Sequence, residues 1–103
     1  MARILIMFKT PKDIAAFDKR YFEAHVPLAK KIPGLIKYEI SRGPITTPNG
    51  ASDIHLVAIL HFKDLTAIQS ALASPEGQAA LADRLSFAPE GSVEILRFDS
   101  HEL

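Results

Sequence analysis

Two short stretches, RILIMFK at residues 3 to 9 and DIHLVAILHF at residues 53 to 62, are apolar at consecutive positions rather than at alternate ones. Neighbouring side chains of a strand point to opposite faces. Ile4, Ile6 and Phe8 therefore oppose Leu5 and Met7, while Ile54, Leu56, Ala58, Leu60 and Phe62 oppose His55, Val57, Ile59 and His61. Each strand wants apolar cover on both sides, and this demand decides what the rest of the chain must do.

The remaining segments supply one covering layer. TPKDIAAFDKRYFEAH, residues 10 to 25, opens with Thr10 as a helix cap and Pro11 at the first helical position. It then sets Ile14, Phe17, Tyr21, His25, Leu28 and Ile32 at steps of three and four, the spacing of an amphipathic helix with His25 on its buried stripe. Pro27 has no N–H and crowds the carbonyl of Glu23, so a kink or restart is expected there, with Val26 outside the helical region and Pro33-Gly34 as the end.

LIKYEIS alternates and reads as a strand from about residue 35 to 42, with Ile36, Tyr38 and Ile40 on one side. Residues 42 to 53 hold two prolines, two glycines and an Asn-Gly pair, a long loop with the character of a mobile flap. Asp64 caps LTAIQSALA, Ser74-Pro75-Glu76 starts another helix through about Ser86, and SVEILRFD from residue 92 is the last strand.

The order βαββαβ is the ferredoxin-like arrangement of the α+β class, a four-stranded antiparallel sheet with its helices on one face. The whole chain, residues 1 to 103, reads as one domain. The second sheet face has no cover within it, and a second copy laid sheet to sheet would supply that cover, so a homodimer is expected.

Twelve basic and twelve acidic residues balance, no basic run exceeds Lys30-Lys31, and neither nucleic acid nor an anionic membrane is forecast. The apolar start, Ile4 to Phe8, is too short for a signal peptide or a membrane span. Cysteine is absent, which fits a reducing compartment and makes the cytoplasm the default location. The scattered glycines form no phosphate-binding loop, and no cofactor is expected.

Phe17-Asp18, Tyr21-Phe22, His25-Val26-Pro27-Leu28, Pro33-Gly34-Leu35 and Tyr38, followed by SPEGQAALADRLSF, resemble the EthD family over nearly the whole chain. That family was named from a protein of bacterial ethyl tert-butyl ether degradation. The resemblance implies a dimeric α/β barrel, in which two ferredoxin-like sheets face each other. Relatives include methylmuconolactone isomerases, which rearrange a small lactone without metal or organic cofactor.

Against that background His25 is the first candidate for an acid or base, placed where Pro27 frees carbonyls and with an ordinary pKa near working pH. The same placement also suits a core histidine that caps those carbonyls beside Tyr21. Asp83 lies away from the Leu81/Leu85 face and groups with Ala79, Ser86 and Phe87, as a pocket wall would; its plainer fate is a solvated carboxylate paired with Arg84 or Lys63. If His25 and Asp83 meet, the carboxylate is expected to raise the histidine pKa, by roughly 1 to 2 units.

Tyr21, Tyr38, Phe87 and His61 complete the expected set as binding residues for a small apolar organic ligand. His55 and His61 share a strand face about 20 Å apart, too far for one metal, and no metal site is read. Three readings of function stay open at this point. One is a cofactor-independent isomerase or cyclase acting on a carbonyl or lactone compound through His25 and Asp83. Another is a non-catalytic accessory or binding dimer of a degradation pathway. The third is haem binding through His25 or His61, or cofactor-free oxygenation.

Overall fold

The computed structural model describes all residues from Met1 to Leu103. Its strands are β1 (Ala2–Lys9), β2 (Lys37–Ile40), β3 (Thr46–Thr47), β4 (Gly50–Ala51), β5 (Ile54–Phe62) and β6 (Val93–Asp99). Its helices are α1 (Ile14–Arg20), continued by a wide π-turn over Tyr21–His25 into α2 (Val26–Ala29), then α3 (Leu65–Ala73) and α4 (Pro75–Phe87). The main sheet has the antiparallel order β2-β5-β1-β6, the ferredoxin-like topology, with the two doubly apolar strands at its centre. No helix is long and apolar enough to cross a membrane.

Strand parity explains the core. Ala2, Ile4 and Phe8 of β1 and Leu56, Ala58, Leu60 and Phe62 of β5 are all buried on the helical side. Phe17, Tyr21, Ala29, Ile68, Ala71 and Ala80 of the helical layer and Ile32 of the turn after α2 pack on them to make one contiguous cluster. Asp64 and Ser74 cap α3 and α4 by accepting from the Ala67 and Gly77 amides. A Cβ on Gly77 would lie 2.1 Å from the Ala71 carbonyl oxygen, so only glycine lets α4 turn this closely away from α3.

The opposite sheet face is open. Leu5, Met7, Val57 and Ile59 are half-buried there, and across the register from β1, Leu96 and Phe98 of β6 remain 45% and 40% exposed.

Several local expectations are corrected. The first helix starts at Ile14 with Asp13 as its cap; Thr10 instead spends both its amide and hydroxyl on the Asp53 carbonyl, tying β1 to β5. Val26 stays helical, at φ −56° and ψ −47°, because the π-turn bonds its amide to the Tyr21 carbonyl, and the extra residue in that turn makes room for Pro27 without a break. The helix ends at Ala29, four residues before Pro33.

Strand β2 keeps only four residues; Ile36 precedes it and is exposed, while Leu35 packs against the core. Residues 42 to 53 contain the short β3–β4 ladder, whose turn is fastened by Thr47 and Asn49. The Leu81/Leu85 pair faces outward, and Gly77, Ala80 and Arg84 form the buried face of α4: the small Gly77 and Ala80 allow close approach, while the buried Arg84 is satisfied by the Ala88 carbonyl and Glu90.

Candidate functional site

The α1 stripe and the π-turn bring Phe17, Tyr21 and His25 successively onto the buried side. His25 sits between two aromatic rings, with centroid distances of 5.3 Å to Tyr21 and 5.2 Å to Phe87 of α4. Its Nδ1 lies 3.0 Å from Oδ2 of Asp83. The other oxygen of Asp83 accepts from Arg20, whose guanidinium also reaches Ser86 at 3.2 Å. Arg20 leaves the end of α1 one residue before Tyr21, so α1, the π-turn and α4 are joined by a single carboxylate.

An ionised carboxylate only accepts hydrogen bonds, so Nδ1 carries the proton and Nε2 carries the lone pair. Nε2 has no protein partner, and since no buried side-chain nitrogen or oxygen is left unpaired, it touches solvent. Burial pushes the His25 pKa below its ordinary value; Asp83 pulls it up, and Arg84 and Arg20 push it down again. The upward pull expected of Asp83 is present, but the net shift is a fall, because loss of hydration outweighs one carboxylate already shared with an arginine. Burial would raise the Asp83 pKa, but the hydrogen bonds from Arg20 and His25 and their charges bring it below the usual range.

The expected environment of both residues also changes. His25 uses Asp83, and its ring bonds no main-chain carbonyl. Arg84, once a possible partner of Asp83, donates to the Ala88 carbonyl and to Glu90.

Tyr21 and Tyr38 meet through their hydroxyls at 2.5 Å, and burial raises the pKa of both, with the neighbouring Tyr38 adding to the rise at Tyr21. Tyr21 thus connects the strand residue Tyr38 to His25. His61 stands apart from this cluster, on the open sheet face, with Nε2 2.6 Å from Glu39; that bond is the main reason the Glu39 pKa is lowered. His55 does not share its face: it reaches the helical side and bonds Asp18 at 2.7 Å. No three His, Asp or Glu side chains gather as metal ligands.

Two clefts open on the helical side. One, of about 460 Å³, lies between α1 and the loop carrying β3 and β4, with His55 and Asp18 in its wall. The other, of about 400 Å³, is walled by Phe8, Phe17 and Phe87, with Lys9 and Lys12 at its mouth. Neither is lined by His25, Asp83, Tyr21, Tyr38 or His61; of the expected binding residues, Phe87 alone lines one of these two. Sequence reasoning missed Arg20 and Asp18. Each follows a helical stripe residue by one or three positions, but only the tertiary fold reveals its partner.

The profile of the EthD domain matches residues 9–90. A protein of Rhodococcus erythropolis, described as an uncharacterized 11.0 kDa protein in the thcB-thcC intergenic region, is 37% identical over 99 residues, which cover 96% of this chain and 94% of that protein. The crystal structure of an ethyl tert-butyl ether degradation (EthD) family protein from Bacillus halodurans C-125 superposes with a TM-score of 0.90 at 30% identity, covering 98% of this chain and 99% of that one. SnoaB, a cofactor-independent oxygenase from Streptomyces nogalater, superposes with a TM-score of 0.68 over 99% of this chain and 94% of its own, at 18% identity, a likeness of fold.

Proposed function

Because the chain belongs to the EthD domain family, we propose that it binds a small, mostly apolar organic molecule and moves a proton on it, with His25 as the base and no organic cofactor. The observation that carries this reading is the His25–Asp83–Arg20 chain: a neutral imidazole locked in one tautomer, wedged between two aromatic rings, with Nε2 free to accept. Lowered basicity keeps the ring unprotonated at neutral pH, as a base requires, and Asp83 stabilises the imidazolium once a proton arrives.

A carbonyl or lactone with an acidic C–H fits this machinery. The base takes the proton from one carbon, leaving an enolate, and returns it to another carbon of the same molecule, which is an isomerisation that moves the double bond. Phe87 separates His25 from the aromatic cleft by one ring, so turning that ring would join the two. SnoaB, a cofactor-independent oxygenase, has the same fold, so this scaffold is compatible with chemistry that needs no cofactor.

The test is solvent exchange in deuterium oxide on a panel of unsaturated γ-lactones and cyclic ketones, followed by proton NMR. Accelerated exchange that falls about 100-fold in His25→Gln is the expected result. Equal rates in the wild type and His25→Gln reject His25 as the base. The binding reading, in which a ligand is held without turnover, has its own support in the fact that neither cleft is lined by His25. Saturable ligand binding with no exchange would select it.

The working unit on this reading is a pair of chains joined through the open sheet face, where Leu96 and Phe98 stand exposed beside Leu5, Met7, Val57 and Ile59. Light scattering is expected to give twice the 11.3 kDa chain mass. The double variant Leu96→Glu, Phe98→Glu is expected to return to the single-chain mass.

A further inference from the structure

Between Phe8 and Lys9 strand β1 advances by one residue while its partner β5 advances by two, from Leu56 to Ile54. His55 is the extra residue of a β-bulge. In a regular ladder it would share the open face with Val57 and Ile59; the bulge re-aims it. Its ring instead meets the edge of Phe17 at 5.4 Å, and its Nε2 lies 2.7 Å from Oδ1 of Asp18, both on α1. The irregularity thus delivers a second histidine–aspartate pair into the wall of the larger cleft, opposite the loop that carries β3 and β4.

The chemistry of that wall narrows what it holds. Asp18, as a carboxylate, accepts from His55, so Nε2 bears the proton and Nδ1 is the acceptor. Nδ1 has no partner in the protein and touches solvent. Ile14, Phe22, Ile54 and Leu56 make the cleft largely apolar, and no lysine or arginine lines it. An anion would face Asp18 with no fixed positive charge to receive it, whereas a neutral molecule loses little on entering.

We propose that this cleft is a second small-molecule site, which takes an uncharged, mostly apolar compound donating one hydroxyl or N–H hydrogen bond to Nδ1 of His55. The proposal is independent of proton transfer at His25, since no residue of the His25–Asp83–Arg20 chain lines the cleft.

Phenol and anisole, of similar shape but with and without a donor, serve as probes in an amide NMR titration of the full chain. Phenol is expected to shift Phe22, Ser52 and His55 saturably, with about fivefold higher affinity than anisole, the gain of one hydrogen bond. His55→Phe keeps a ring against Phe17 and loses the acceptor, and its amide spectrum reports whether the fold is kept; phenol should then bind no better than anisole. His25→Gln should leave phenol binding as it was. Equal affinities in the wild type, absence of a saturable shift, shifts centred elsewhere, or loss of phenol binding in His25→Gln would each overturn the site, and none of these outcomes bears on deuterium exchange at His25.

Discussion

His25 and His55 each bond an aspartate through one ring nitrogen, at 3.0 and 2.7 Å, yet the longer bond belongs to the tighter pair. The side chains of His25 and Asp83 are 8% and 9% exposed; those of His55 and Asp18 are 20% and 42% exposed. Removing water strengthens the interaction between two charges and also penalises each charge separately, whereas water around Asp18 screens its pull on His55. Asp83 further serves two donors and joins three elements, while Asp18 serves one. Distance alone therefore misranks the pairs: the buried one holds the fold and tunes basicity, and the open one leaves its histidine available to a cleft.

The contrast is broken most directly by truncating the two aspartates. Asp83→Ala strands His25 and Arg20 without their acceptor at a largely buried point and is expected to cost about 2 to 3 kcal/mol. Asp18→Ala removes a solvent-screened partner and is expected to cost about 1 kcal/mol or less. Urea unfolding curves with unchanged slopes would measure both. Equal losses would mean that burial does not separate the pairs.

Acid sharpens the same comparison. The folded pKa of His25 lies below its unfolded value, so the folded state binds the proton less readily than the unfolded chain. Its contribution to stability is complete above the unfolded pKa of about 6.5 and is lost as pH falls from there through the lowered folded pKa. Asp83, also lowered, adds a further loss below about pH 3.9, the ordinary aspartate value. His25→Gln is expected to flatten the fall that begins near pH 6.5. A fall that survives in His25→Gln would assign it to another group.

What the sequence reveals divides along the same line. The parity of RILIMFK and DIHLVAILHF states which side chains enter the core, and the α1 spacing places Tyr21 and His25 on the buried stripe, because both patterns are local. Asp64 and Ser74 announce their caps for the same reason. Thr10-Pro11 misleads, since Asp13 is an equally good cap and Thr10 has a distant claim on it from Asp53.

The remaining features rest on long-range geometry. Arg20 meets Asp83 across 63 positions, and the His55 bulge depends on the register between β1 and β5, which neither strand encodes alone. The sign of the His25 shift was hidden as well, because it is decided by how much water the packed rings exclude, and that is a property of the assembled core.

The smallest expected effect tests whether coupling follows burial. Asp83→Asn keeps the shape of the carboxylate and removes its charge, so the His25 pKa, already low, should fall further; burial is then opposed by a neutral amide alone. Asp18→Asn makes the same change beside a histidine that water already screens, and should leave the His25 titration where it was. NMR titration of the four histidine rings, assigned by single substitution, follows both variants in one experiment. A His25 midpoint that rises in Asp83→Asn would mean that the carboxylate disfavours the imidazolium, and Asp83 could not then stabilise the protonated base. A fall of equal size in both variants would mean that the two aspartates act on His25 through a common field, and the division of the helical layer into a dry site and a wet one would have no electrostatic basis.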